Sequence, residues 1–257
     1  MLLASKVAII TGAGPGLGRT LALLMAQEGA RVIIAARTRE TLESIAASSG
    51  ALAVPADVTD PSQVRHLAAT AIERFGKIDV LVNAAFPATH RRNVLDMDEA
   101  YLAQWRSCVD IAAYGTLLAC RYIAPHMVAA GAGSIVNITS MSSRMGYAGR
   151  SDYAAGKAAV GLLSQSLADE LGPSGVRVNC VAPGWIQSEV LVQWMRARAA
   201  AEGVPYEEIL ARDTAAMALR RIATEEDVAR AVIFLASEQA QATTGATIDV
   251  NAGQQFH

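Results

Sequence analysis

The sequence predicts a doubly wound α/β fold: about seven parallel strands with helices on both faces. Apolar runs of strand length alternate with helical stretches along the whole chain. The run Val32-Ile33-Ile34-Ala35-Ala36 shows no polar alternation, as befits a strand covered on both faces. The 257 residues, 52% of them hydrophobic, can fill one sizeable core, and no Pro/Gly/Ser-rich linker divides them. A single domain over 1–257 is therefore expected.

The strand candidates are Val7–Ile10, Val32–Ala36, Leu52–Pro55, Val80–Asn83, Ser134–Ile138, Val176–Val181 and Thr247–Val250. The first helix is expected over Arg19–Glu28, ended by Gly29. Asp60-Pro61-Ser62-Gln63 supplies an N-cap, a first-turn proline and a capping-box partner, and Thr224-Glu225-Glu226-Asp227 places acids in a first turn. A long helical run opens at Tyr153 and continues to about Glu170. The stretch Ser188–Arg221 exceeds an ordinary connection and carries Trp194, Met195, Pro205, Tyr206, Met217 and Leu219, so it reads as an inserted lid.

A net charge of −2 spread along the chain excludes a basic nucleic-acid or membrane-binding block. No apolar run reaches the roughly 18 residues of a membrane span. Val7–Ile10 reads as a strand rather than a signal peptide, so a cytoplasmic protein is expected. Cys108, Cys120 and Cys180 are odd in number and far apart, which suits buried thiols better than disulfides or zinc pairs. His66, His90, His126 and His257 are equally scattered; no metal site is expected.

Directly after the first strand comes Thr11-Gly12-Ala13-Gly14-Pro15-Gly16-Leu17-Gly18, leading into a helix. Glycines let the backbone approach a phosphate, and the helix N-terminus aims free N–H groups at it. The spacing misses GxGxxG in every register but fits Gly12-x3-Gly16-x-Gly18, and the missing Gly-Lys-Ser/Thr ending excludes a triphosphate loop. The expected ligand is a dinucleotide. The second strand ends in Ala36-Arg37, where a carboxylate would bind an adenosine ribose and a base a 2′-phosphate. Arg37 can stack on adenine or pair with that phosphate. NADP(H) is favoured, with NAD(H) the alternative.

Tyr153 and Lys157 stand four apart, on one face of the long helix. A fixed cation stabilises phenolate and moves tyrosine towards working pH, although such spacing alone marks many helix surfaces. The fifth strand ends at the ligand-binding edge of the sheet beside Ser140, with Thr139, Ser142 and Ser143 as rivals by chemistry alone.

These residues resemble the short-chain dehydrogenase/reductase family, in its single-domain subgroup with a Rossmann-type sheet, along nearly the whole chain. Thr11, Gly12, Gly16 and Gly18 match its T-G-x3-G-x-G motif, and Tyr153 and Lys157 its Y-x3-K motif. The family's serine lies 13 positions before the tyrosine, which selects Ser140. The resemblance implies that Tyr153 is the general acid or base and that Ser140 polarises the carbonyl. It also implies that Lys157 binds the nicotinamide ribose while lowering the phenol pKa. By the same resemblance Gly12, Gly14, Pro15, Gly16, Leu17 and Gly18 cradle the cofactor, Asp57 and Val58 meet the adenine, and Pro183, Gly184 and Ile186 border the nicotinamide. It further implies a homotetramer, or less often a dimer, with helices near Leu102–Ala124 and Tyr153–Leu171 in one interface.

Four positions depart from the family pattern. Asn83-Ala84-Ala85-Phe86 keeps the first Asn of N-N-A-G, expected with Ala84 beside the cofactor, and puts Phe86 where the family has Gly, as a wall of the substrate pocket. Asp110 stands where the family has an Asn whose backbone carbonyl holds a proton-relay water; an extra buried acid near Lys157 would change the pH profile, whereas pairing with a neighbour would not. Gly156 replaces a Ser, and Ser188 replaces a Thr that holds the carboxamide.

The leading expectation is thus an oxidoreductase interconverting a secondary alcohol and a ketone on a small hydrophobic substrate, with Phe86, Met141, Met145, Tyr147, Trp185, Trp194 and Met217 around the pocket. The alternatives are a 3-oxoacyl-(carrier protein) reductase, whose acidic partner would need an entrance built from Arg91, Arg92, Arg144 and Arg150, and a non-enzymatic NAD(P)-sensing protein.

Overall fold

A computed structural model describes residues 1–86 and 91–256; His90 and His257 of the sequence survey lie outside them. Seven strands form one parallel sheet: β1 (Val7–Thr11), β2 (Arg31–Ala36), β3 (Leu52–Pro55), β4 (Val80–Asn83), β5 (Gly133–Ile138), β6 (Val176–Pro183) and β7 (Thr247–Val250). Their order is β3-β2-β1-β4-β5-β6-β7, so the winding reverses between β1 and β4. In such a sheet ligands bind at the carboxyl ends of the strands on either side of this reversal.

Both faces of the sheet are apolar, as the unbroken hydrophobic runs require. Ala8, Ile10, Ile34 and Val82 pack with Leu21, Leu42 and Val232, from α1 (Leu17–Gln27), α2 (Arg39–Ser49) and α9 (Glu225–Ala236). Their neighbours Val7, Ile9, Ile33 and Leu81 point the other way, against Leu67, Ile123 and Leu167 of α3 (Pro61–Phe75), α5 (Gly115–Ala130) and α6 (Ser151–Leu171). Fully burying one such side chain stabilises by about 1.5–3 kcal/mol.

Asp60 caps α3 through Ser62 N–H at 2.8 Å and Gln63 N–H at 3.3 Å; the Ser62 hydroxyl and the Gln63 side-chain amide also donate to its carboxylate and, ahead of the backbone bonds, hold it down at about 2. Gln63 does not close the expected capping box: its amide donates to the Asp60 side chain and its oxygen accepts from Asp57 N–H. Thr224 and Asp227 do form one at α9, an arrangement worth about 1 kcal/mol.

Between α4 (Glu99–Val109) and α5 the helix widens into one π turn, Asp110–Tyr114, in which Gly115 N–H donates to the Asp110 carbonyl five residues back. Further on, α7 (Glu189–Glu202) and α8 (Tyr206–Thr214) fill the long connection after β6. They enclose their own apolar cluster of Met195, Ala199, Ile209, Met217 and Ile222.

Candidate active site

At the carboxyl edge of the sheet lies a cleft of about 470 Å³. The turn from β1 into α1 forms one wall. Gly12 has φ +74°, and a Cβ there would lie 2.3 Å from Ala85 Cα; one on Gly18 would lie 2.7 Å from Ala13 Cα. These two glycines let the turn fold onto the neighbouring chain. Gly14 differs, since a Cβ there meets nothing within 4 Å, so its backbone is open to an approaching ligand.

Of the expected residues, Gly12, Gly14, Pro15, Leu17, Gly18, Arg37, Asp57, Val58, Ala84, Phe86, Tyr153, Lys157, Pro183, Gly184 and Ile186 line this cleft together. Ala36, Thr38, Ala56, Ala85, Ile111 and Ile138 line it too and were missed by sequence reasoning, and Thr139, named only as a rival of Ser140, lines it as well.

Lys157 is buried, and its ammonium donates to the Ile138 carbonyl at 2.6 Å. That bond anchors α6 to the end of β5. Burial lowers the Lys157 pKa from about 10.5 to about 8. The Tyr153 phenol is pushed up by burial, while a hydrogen bond with Ser140 and the charge of Arg150 pull it down. The Arg150 guanidinium lies 5.0 Å from the Tyr153 ring centroid. Phe86 sits on the pair: its ring meets Tyr153 edge-on at 4.9 Å, with the Lys157 ammonium 5.5 Å from its centroid.

Ser140 is buried at the end of β5, its hydroxyl accepting from Ser142 N–H at 3.1 Å and reaching Tyr153. Two of its rivals are engaged elsewhere. Thr139 donates to the Val181 carbonyl and Ser143 to the Ser140 carbonyl. Asp152, 1% exposed, accepts from Tyr153 N–H through one oxygen, and the other has no hydrogen-bond partner.

One expectation is corrected, and several candidates stand outside the lining of the cleft. Asp110 is not a buried acid beside Lys157: its side chain is half-exposed and faces Arg106 at 3.8 Å, because the π turn rotates it to the outside while Ile111 faces the cleft. Asn83 is buried beneath the cleft, where it accepts from Thr11 and donates to Asn137. Gly16 lies behind the turn, where a Cβ would come within 3.0 Å of a Glu225 carboxylate oxygen. Ser188 caps α7, its hydroxyl accepting from Leu191 N–H. Trp185 and Trp194 stack edge-on at 6.4 Å beside the α7–α8 cluster, and Tyr147 is exposed, so none of the three lines the cleft.

A Rossmann-type sheet, a glycine turn at its winding reversal and a tyrosine and buried lysine in the same cleft define an oxidoreductase acting on CH–OH groups with a nicotinamide cofactor. Comparison with known proteins gives the family. Residues 12–255 match a family model described as Enoyl-(Acyl carrier protein) reductase. The chain is 36% identical over 255 residues to cis-4-hydroxycyclohexanecarboxylate dehydrogenase of Sinomonas cyclohexanicum, covering 97% of this chain and 96% of that one. It is 34% identical over 260 residues to 3-oxoacyl-[acyl-carrier-protein] reductase FabG of Thermotoga maritima, covering 98% and 99%. Among solved structures, levodione reductase superposes with a TM-score of 0.87 at 28% identity, covering 98% of each chain. The chain belongs to the short-chain dehydrogenase/reductase family.

Proposed function

We propose that this chain interconverts a secondary alcohol and a ketone on a small, largely apolar substrate, favouring NADP(H) over NAD(H). The observation that carries the reading is the convergence of the glycine turn, Tyr153 and Lys157 on one cleft, with Ser140 in contact with the phenol. A dinucleotide fits the wall: Gly14 leaves its backbone open, and Lys157 offers a donor inside. Gly12, Gly14, Pro15, Leu17 and Gly18 would hold the pyrophosphate, Asp57 and Val58 the adenine, and Lys157 the nicotinamide ribose. Bound there, the cofactor supplies or accepts hydride at the substrate carbon.

The chain's own residues handle the oxygen and its proton. In reduction the Tyr153 phenol donates a proton to the developing alkoxide, and Ser140 holds that oxygen in line; oxidation reverses both roles. The NADP(H) preference rests on Arg37 and Thr38 at the cleft rim, where no carboxylate follows β2. Phe86 forms the apolar wall, and α7 and α8 serve as the lid. Exposed Leu102, Leu117 and Leu162 on α4, α5 and α6 support a homotetramer built across those helices. No described helix is long and apolar enough to cross a membrane. The carrier-protein reading loses one of its cations, because Arg144 is paired with Asp249.

Steady-state turnover of a ketone panel with NADPH and NADH tests the reading. Tyr153→Phe is expected to lose about 10²- to 10⁴-fold in kcat while dinucleotide binding persists. Full activity in that variant would refute the proton role, and a preference for NADH would refute the cofactor choice.

A further inference from the structure

The cleft runs across the strand exits, from Arg37 beyond β2, past the glycine turn after β1, to Pro183, Gly184 and Ile186 at the end of β6. Tyr153 and Lys157 stand towards the second of these ends: the Lys157 ammonium donates to the Ile138 carbonyl, and Ile138 pairs with Val181 of β6. A dinucleotide stretched along the cleft with its reacting ring at Tyr153 therefore has that ring beside the β6 exit. A turn of the chain that no motif marks holds this exit from behind. Pro183 and Val250 are partners in β6 and β7, and beyond β7 the turn 251–255 folds back over Gly184. A Cβ on Gly184 would lie 2.6 Å from Gln254 Oε1 and 2.7 Å from Asn251 Cβ, so the contact requires a glycine there. The Gln254 side-chain oxygen accepts from Trp185 N–H at 2.9 Å. Buried Asn251 closes the turn on itself, accepting from Gly253 N–H and donating to the Gln255 carbonyl, both at 2.9 Å. The turn also pairs with the segment that leaves α8: Ala218 N–H donates to the Gly253 carbonyl at 3.1 Å and Leu219 N–H to the Ala252 carbonyl at 3.0 Å. Ala252 holds φ +53°, a left-handed conformation that a residue with a Cβ keeps only where its surroundings impose it.

We propose that Gln254 is a positioning residue for the reacting end of the cofactor: its side-chain oxygen fixes the backbone of 184–186, and its turn ties that backbone to the exit of the lid. This rests on the dinucleotide reading and adds a residue to it. Gln254 does not line the cleft; it acts through Trp185, whose neighbours on both sides, Gly184 and Ile186, do. The Trp185 ring itself packs against the α7–α8 cluster, so its N–H is the point at which the turn grips this segment. Without the acceptor that N–H loses its partner and the segment loosens. The loss falls on the nicotinamide and spares the adenosine, which binds at the other end of the cleft beside Arg37.

The test titrates NADPH and 2′-phospho-ADP-ribose, which lacks only the nicotinamide, into wild type, Gln254→Met and Gln254→Glu, each checked for native melting; NADH and ADP-ribose form a second pair. Gln254→Met keeps the length of the side chain and removes the acceptor. The Kd of the reduced dinucleotide is expected to rise about 10-fold, and that of its ADP-ribose counterpart to change by less than about 2-fold. Gln254→Glu retains an acceptor and should restore most of the affinity. A loss shared equally by both ligands marks a structural turn only, and no loss, or the same loss in both variants, shows that the hydrogen bond does not place the ring. Each of these results overturns the proposal and leaves the dinucleotide reading standing. Hydrogen exchange of the wild type makes the comparison without substitution: NADPH should slow exchange in 183–187 and in 251–255 together, and 2′-phospho-ADP-ribose in neither. Protection of 183–187 alone overturns the link. Wild type that binds neither pair refutes the dinucleotide reading and the proposal with it. Nicotinamide-selective binding that requires Gln254, with no turnover of any ketone, upholds the proposal and refutes the alcohol–ketone reading instead.

Discussion

Lys157 costs this protein stability, and the cost can be read from its response to pH. The side chain is 4% exposed, and burial lowers its pKa from about 10.5 to about 8. Between these values the unfolded chain carries the proton and the folded one does not. Stability from this group therefore rises with pH across the window from about 8 to 10.5 and is flat below it. A difference of about 2.5 pKa units corresponds to about 3 kcal/mol over the whole window. In Lys157→Met the term is absent. The cysteine thiols and the Tyr153 phenol, all pushed up by burial, act in the opposite sense, but both proteins contain them, and beyond the charge that Lys157 exerts on Cys108 and Cys180 they cancel in the difference. Urea unfolding of both proteins without added nucleotide, at intervals from pH 7 to 10.5, gives the difference curve. Wild-type stability should gain about 3 kcal/mol on the variant across that range. A flat difference would mean that the ammonium is solvated in the folded state, and the anchoring role of the Ile138 bond would fall with it.

Two further substitutions separate backbone from side-chain roles. Gly12→Ala forces a Cβ to 2.3 Å from Ala85 Cα at φ +74° and should destabilise by about 2–5 kcal/mol; Gly14→Ala meets no neighbour and should keep its melting temperature while losing dinucleotide affinity, so equal melting losses in the two would contradict this geometry. Asp110→Asn should leave the pH–rate profile in place and kcat within about 2-fold, since the carboxylate forms only an exposed pair with Arg106. A displaced acid limb would show that the carboxylate reaches the cleft.

The strands were legible because a buried parallel sheet imposes one plain demand: each strand must be apolar on both faces. The glycine turn was legible because a clash at 2.3 Å or 2.7 Å admits no other residue. The helical candidates were harder, since a residue's direction on a helix depends on its winding. Asp110 shows this: one π turn rotates its carboxylate towards solvent and presents Ile111 instead. Trp185 and Trp194 were misplaced for a different reason. Aromatic side chains satisfy either a pocket or a core, and here Trp185 packs against the α7–α8 cluster while half-exposed Trp194 stacks edge-on against it.

The polar rung beneath the cleft was the least legible feature, because it exists only once the register is known. Thr11, Asn83 and Asn137 are partners in adjacent strands. Their side chains bond in series: Thr11 donates to Asn83, Asn83 to Asn137, and Asn137 to Ser164 of α6 at 2.8 Å. Buried amides without partners would cost about 1–3 kcal/mol each, so this row fixes one register among three strands and ties it to the helix that carries Tyr153 and Lys157. A one-residue slip of β4 would turn Asn83 to the opposite face and break its bonds to both Thr11 and Asn137. The row thus joins the strand that opens into the glycine turn to the helix that bears the candidate acid, which keeps the two halves of the cleft in a fixed relation.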